Sequence, residues 1–205
     1  MAYNRKDAVY DRAKAAGYRS RAAYKLRELA ERYGLIRRGD RVLDLGAWPG
    51  GWMQVAAEFC GPRGRVVGVD LQAIEPIPLA NVAFVQGDVE DAAVRRRLGD
   101  LAQGRLDVVL SDMSPKLTGV RARDEAHAVE LAHTALAAVD EMLAPHGRLL
   151  MKVFMNEESK EILQRARSRF RTVKLTRPDA TRKGSTEIYL VALDHRPGEA
   201  TTATS

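Results

Sequence analysis

The chain has 205 residues, 45% hydrophobic and 29% charged, a balance that excludes intrinsic disorder and fits one globular domain. No apolar run reaches the roughly 18 residues of a membrane span, and the leading MAYNRKDAVYDRAKAAGYRSR is too polar for a secretory signal, so a cytoplasmic protein with no membrane partner is expected. A formal charge of +6 favours a polyanionic partner, while a single cysteine, Cys60, excludes an intramolecular disulfide and any multi-cysteine metal site.

Residues 1–18 read as a basic leading segment, mobile or ordered only on a partner. One domain follows over residues 19–195, and residues 196–205 form a disordered tail rich in Gly, Ala, Thr and Ser. Helical composition first appears over Tyr18–Tyr33. Strand-like clusters then fall at Val42–Leu45, Val66–Val69, Val82–Val85, Val108–Leu110, Leu149–Phe154 and Ile188–Leu193, with a weaker one at Thr172–Leu175. Helical patterns separate them at Gly51–Phe59, Glu90–Leu101, Asp124–Leu143 and Glu157–Phe170. The alternation of strand and helix from residue 41 to about 175 predicts an α/β fold, a parallel sheet with helices on both faces. The stretch 176–187 has no helical pattern and is short for a parallel crossover, so the final strand is expected to run antiparallel.

Candidate chemistry lies where strands end. The first strand runs into Asp44-Leu-Gly46-Ala-Trp48-Pro49-Gly50-Gly51-Trp52 and then a helix. Such a turn lets backbone approach a ligand and offers free helix N–H groups to a negative group. The spacing of Gly46, Gly50 and Gly51 does not fit the dinucleotide fingerprint, which disfavours a dehydrogenase. The second strand ends at Asp70, placed to accept hydrogen bonds from ribose hydroxyls. The third ends at Asp88, which either holds an adenine amino group or caps the helix that follows. Gly, Asp and Asp on three successive strand ends predict an adenosyl pocket. The fourth strand ends at Asp112. The fifth carries Lys152 in an apolar run, a costly placement unless a partner such as Asp112 is near.

The stretches Ser20–Leu26, Asp44–Trp52, Val69–Leu71, Gln86–Asp88, Asp112–Gly119, Lys152–Phe154, Arg177–Arg182 and Ser185–Ala192 together resemble the FtsJ/RrmJ family of ribose 2′-O-methyltransferases of large-subunit ribosomal RNA. The resemblance spans roughly residues 10–193. It implies a Rossmann-like class I S-adenosylmethionine-dependent methyltransferase, with a seven-stranded, mostly parallel sheet containing one antiparallel strand. It implies a catalytic tetrad of Lys25, Asp112, Lys152 and Glu187. S-adenosyl-L-methionine would be the cofactor, in contact with Asp44, Gly46, Pro49, Gly50, Gly51, Trp52, Asp70, Leu71, Asp88, Val89 and Asp112. The sequence departs from the family pattern at Trp48, where a small residue is usual, at Lys116, where Asn is usual, and at Met155-Asn156, which replace a Gly-containing turn. The residue types suit the chemistry: a ribose hydroxyl needs a proton acceptor as it attacks a methyl carbon. A lysine serves once a neighbouring cation has lowered its pKa. Methyl transfer from a sulfonium needs no metal, and the four histidines are scattered, so none is expected.

Two basic groups flank tetrad members in sequence and are expected to border the active cleft as the RNA surface: Arg19, Arg21, Lys25 and Arg27, followed by Arg37, Arg38 and Arg41, around the first helix, and Lys174, Arg177, Arg182 and Lys183 before Glu187, with Lys116 adding charge near the active site. The expected substrate is a uridine of 23S rRNA within the large ribosomal subunit, and the expected state is a monomer. The rival substrates are tRNA or an mRNA cap. The rival classes are a non-catalytic RNA-binding protein, opposed by the intact tetrad, and a small-molecule methyltransferase, opposed by the basic flanks.

Overall fold

In the computed structural model, which describes residues 13–115, 118–154, 159–179 and 187–197, seven strands form one sheet. They are β1 (Arg41–Leu45), β2 (Arg65–Asp70), β3 (Val82–Gln86), β4 (Leu106–Ser111), β5 (Leu143–Phe154), β6 (Phe170–Thr176) and β7 (Glu187–His195). The helices are α1 (Ala22–Tyr33), α2 (Gly51–Cys60), α3 (Ala92–Ala102), α4 (Arg121–Met142) and α5 (Ser159–Arg169). The spatial order is β3-β2-β1-β4-β5-β7-β6. β1 to β5 pair in parallel, and β7 runs antiparallel to both β5 and β6. The final strand therefore has the expected direction: the short link from β6 can turn back but cannot cross over.

Each strand of the sheet's centre is apolar on both faces, because helices cover both. Leu43, Leu45, Val67, Val109, Leu149, Met151 and Leu190 meet residues of α3, α4 and α5. Val42, Val66, Val108, Leu110, Leu150, Tyr189 and Val191 meet residues of α1 and α2. Side chains alternate along a strand, so Asp44 shares the face of Val42, Asp112 that of Leu110, and Lys152 that of Leu150. Glu187 shares the face of Tyr189. The sequence thus delivers four charged groups to the face under α1, all at one edge of the sheet. The strand order reverses between β1 and β4, which opens a crevice beyond the carboxyl ends of the strands.

β5 begins six residues earlier than the hydrophobic run suggests. Leu143 pairs with Leu106, the register then shifts, and regular pairing resumes at Arg148 opposite Val108. Pro145 and Gly147 disguise this start as a turn. α3 is capped by Asp91, whose side chain accepts from the Ala93 N–H at 2.7 Å, and not by Asp88. Among the described residues no helix is long and apolar enough to cross a membrane.

Candidate active site

α1 starts at the carboxyl edge of the sheet and lays Lys25 over β7 and β5. Lys25 Nζ meets Glu187 Oε2 at 2.9 Å and the Tyr189 hydroxyl at 3.3 Å. Lys152 Nζ meets Asp112 Oδ1 at 3.1 Å and the Asp112 carbonyl at 2.8 Å. Its side chain is only 5% exposed, so the charge is tolerated because Asp112 offers two oxygens. The Tyr189 hydroxyl donates to Asp112 Oδ1 at 2.8 Å. The expected four groups therefore come together as two lysine–carboxylate pairs, with a tyrosine hydroxyl between them.

Tyr189 is the functional residue that sequence reasoning missed. It sits opposite Lys152 in the β5–β7 register, fully buried, with its ring beside Trp52 at a centroid distance of 6.0 Å. Burial, then the charge of Asp112 and the hydrogen bond to it, then the charge of Glu187, raise the phenol far above its ordinary range. It stays a proton donor.

Beside this cluster lies Asp44. It is wholly buried, and neither carboxylate oxygen has a hydrogen-bond partner among the described residues. Burial raises its carboxyl well above the ordinary range, and the charges of Asp112 and Asp70 add to this. A desolvated carboxylate without a donor is costly, so this position fits a cationic or N–H-bearing ligand. The backbone next to it is tight. Gly46 has φ +74°, and a Cβ there would meet Met113 Cγ at 2.8 Å, so the β1 and β4 ends touch here and only glycine fits. α2 begins at Gly51 with no side-chain cap, leaving its first N–H groups to other acceptors.

The remaining pocket candidates divide. Asp70 Oδ2 accepts from the Trp48 N–H at 2.9 Å and Oδ1 from the Gln72 N–H at 2.8 Å, which shapes the turn and leaves each oxygen a further lone pair. Asp88 Oδ1 accepts from the Glu90 N–H at 2.9 Å. Val89 is buried, while Leu71 is 68% exposed at the rim. The Trp52 indole N–H donates to the Ala22 carbonyl at 2.8 Å and the ring is buried, so the side chain fastens α2 to α1. What Trp52 can offer a cofactor is backbone. The Pro49 carbonyl and the Gly50 Cα face Arg19.

The expected basic surface needs correction. Arg19, half-buried, spends its guanidinium on backbone: it donates to the carbonyls of Pro49 (3.4 Å), Pro76 (2.7 Å) and Glu75. It straps the glycine turn to the loop after β2. Arg37 and Arg38 do not border the active cleft, because they precede β1 and lie at the opposite edge of the sheet. Arg177 is exposed just beyond β6 at the active edge, and Arg21 immediately precedes α1. Lys116, Arg182 and Lys183, like Met155 and Asn156, lie outside the described residues. So do residues 1–12 and 198–205 of the two expected terminal segments. Ala13, by contrast, is buried, and the Gly17 carbonyl accepts from Gln54 Nε2 at 2.9 Å.

An open sheet with this strand order, its reversal between β1 and β4 and its single reversed strand β7, is the class I S-adenosylmethionine-dependent methyltransferase fold. The chain belongs to the FtsJ-like methyltransferase family, which it matches over residues 18–195. A Methanobrevibacter smithii protein named ribosomal RNA large subunit methyltransferase E is 44% identical over 191 residues, covering 93% of this chain and 91% of its own. A Syntrophobacter fumaroxidans protein of the same name is also 44% identical, covering 94% and 98%. A crystal structure of a Plasmodium falciparum protein described as a ribosomal RNA methyltransferase superposes with a TM-score of 0.76 at 28% identity, over 87% of this chain and 98% of that one. Aeropyrum pernix fibrillarin, solved with S-adenosyl-L-methionine, shares the fold at a TM-score of 0.57 and 20% identity, over 83% of this chain and 76% of that one.

Proposed function

We propose that the chain transfers the methyl group of S-adenosyl-L-methionine to a ribose 2′-hydroxyl, on a uridine of the large-subunit rRNA, and that it works as a cytoplasmic monomer. The observation that carries this reading is the pair of lysine–carboxylate bridges joined by the Tyr189 hydroxyl, next to Asp44, which is buried without a hydrogen-bond partner among the described residues. The names of the relatives in Methanobrevibacter smithii and Syntrophobacter fumaroxidans support the rRNA substrate.

The polar groups present fit the cofactor. Asp44 would take its ammonium, the start of α2 its carboxylate, Asp70 the ribose hydroxyls, and Asp88 Oδ2 the adenine amino group. When bound, the cofactor supplies an electrophilic methyl carbon on a positively charged sulfur. Lys152 Nζ would accept the proton that the ribose 2′-hydroxyl gives up on methylation. Asp112 then holds the ammonium so formed. Lys25, anchored by Glu187, holds positive charge beside the attacking oxygen, and Tyr189 fixes the distance between the two pairs.

The test is transfer of labelled methyl to large subunits and free rRNA from cells lacking the protein, followed by mapping of the modified nucleotide. A 2′-O-methyluridine in large-subunit rRNA is the expected product. Label in tRNA or in capped RNA alone would overturn the substrate, and no transfer to any RNA would overturn the activity.

A further inference from the structure

The edge of the sheet farthest from the active site carries charge that the methyl-transfer site does not use. Arg41 and Arg65 are the first residues of β1 and β2 and lie directly opposite one another in the parallel register. Like charges placed side by side on neighbouring strands, about 4.8 Å apart, repel. With Arg63, on the turn before β2, they line a cavity of about 270 Å³ completed by Asn81, Gln103, Pro62, Gly64, Ala80 and Ala102. No carboxylate lines it. Arg38 lies against the other side of the same turn, its guanidinium 3.3 Å from the Glu58 carbonyl, and Arg37 precedes it.

None of these five arginines has an ion pair among the described residues. Several other arginines are paired, Arg27 with Glu58, Arg32 with Glu28, Arg95 with Glu141, and Arg165 and Arg169 with Asp140; Arg96, Arg97 and Arg167 have no ion pair among the described residues, but they do not line a shared cavity. Two acids near the far edge, Asp40 and Asp107, are already engaged. Asp40 holds Arg148 at 3.0 Å and the Arg37 N–H at 2.6 Å, and Asp107 takes the Arg41 N–H at 2.8 Å. Arg65 is braced through Nε to the Leu101 carbonyl at 2.5 Å, which fixes the cavity wall. What remains is a group of guanidinium forks beside the exposed side-chain amide of Gln103, a donor set that matches phosphate oxygens.

We propose that this edge is a second RNA-backbone site, in which Arg41, Arg63 and Arg65 hold phosphates of a segment other than the one methylated. The proposal rests on the reading that the chain acts on RNA. β1 separates the two edges by about 13 Å at roughly 3.3 Å per residue, so a short single strand in the active cleft leaves the far edge empty. A folded RNA that wraps the domain engages both.

The variant Arg41→Gln with Arg63→Gln tests this, since both side chains are exposed; Arg65 is left in place as a brace. Binding of folded large-subunit rRNA should weaken at least tenfold near 0.1 M salt. The slope of log affinity against log salt should fall by about 1–2, since each phosphate contact contributes somewhat under one. Affinity for a short oligoribonucleotide, cofactor affinity and the rate at saturating RNA should stay unchanged. An unchanged slope and affinity would overturn the proposal. So would equal weakening on the short and folded RNAs. A variant that keeps its RNA affinity but loses binding to polyglutamate would show an acidic protein as the partner and overturn it as well. If the pair fails to fold, Arg63→Gln alone, on the exposed turn, is read the same way with about half the slope change. These are binding measurements. Failure of the unaltered chain to methylate RNA would strike the proposed activity and leave the slope to decide this site.

Discussion

The Tyr189 hydroxyl donates to Asp112 Oδ1 at 2.8 Å, and this bond joins what would otherwise be two separate ion pairs. Asp112 serves Lys152 through the same Oδ1 and through its carbonyl, and Lys25 Nζ reaches the phenol oxygen at 3.3 Å. Removing the hydroxyl while keeping the ring isolates the effect. Tyr189→Phe should cost about 1.5–3 kcal/mol of stability, the scale of a hydrogen bond to a charged group. It should slow single-turnover methyl transfer roughly tenfold while leaving cofactor affinity alone. Tyr189→Ala, which empties a fully buried site, should cost about 3–5 kcal/mol. Thermal unfolding and single-turnover assays separate the two. A Phe variant with full rate would confine Tyr189 to packing.

Lys152 is the group assigned to the proton. Lys152→Ala should leave cofactor binding nearly intact and reduce methyl transfer by a factor of roughly 10² or more. Lys152→Arg should not rescue it, since a guanidinium stays protonated at working pH. Near-normal rate in the Ala variant would remove Lys152 from the chemistry. Full rate in the Arg variant would leave it a positioning role.

Much of this site is visible in the sequence, because period-2 alternation fixes which side chains share a face once the strands are placed. Asp44, Asp112, Lys152 and Glu187 each end or interrupt an apolar run, and a charge in such a run needs a partner. Tyr189 gives no such signal. In the run Ile188–Ala192 a tyrosine resembles any core aromatic, and only its place two residues after Glu187 and opposite Lys152 hints at more. The arginines misled for a different reason. Arg37 and Arg38 follow α1 closely in sequence, but a helix of 12 residues advances about 18 Å, enough to carry the chain from one edge of the sheet to the other. Arg19 looked like a phosphate contact because its acceptors are backbone carbonyls, which the sequence does not display.

Arg19 offers a direct check of that correction. Its guanidinium ties the glycine turn to the Glu75-Pro76 segment, so Arg19→Ala should lower stability by about 1–3 kcal/mol and loosen the cofactor turn. The salt dependence of RNA binding should not change. A reduced slope without loss of stability would return Arg19 to the RNA surface.

Asp44 makes the site sensitive to pH in a defined direction. Its carboxyl is raised in the folded chain, first by burial and then by Asp112 and Asp70. Above the ordinary carboxylate range, and up to this raised value, the folded chain holds a proton that the unfolded chain has released. By linkage, stability without cofactor falls as pH rises through that window and is greatest below it. A cation bound against Asp44 favours the ionised form, so cofactor binding should expel up to one proton in the same window, and affinity should rise with pH across it. Calorimetry in buffers of different ionisation enthalpy measures the proton count. Asp44→Asn should abolish the release, leave the cofactor-free chain at least as stable at neutral pH, and weaken cofactor binding at least tenfold, since the ammonium then lacks a charged partner. Proton release that persists in the Asn variant would place the titrating group elsewhere. Unchanged affinity would mean that the cofactor's cation is held by another residue.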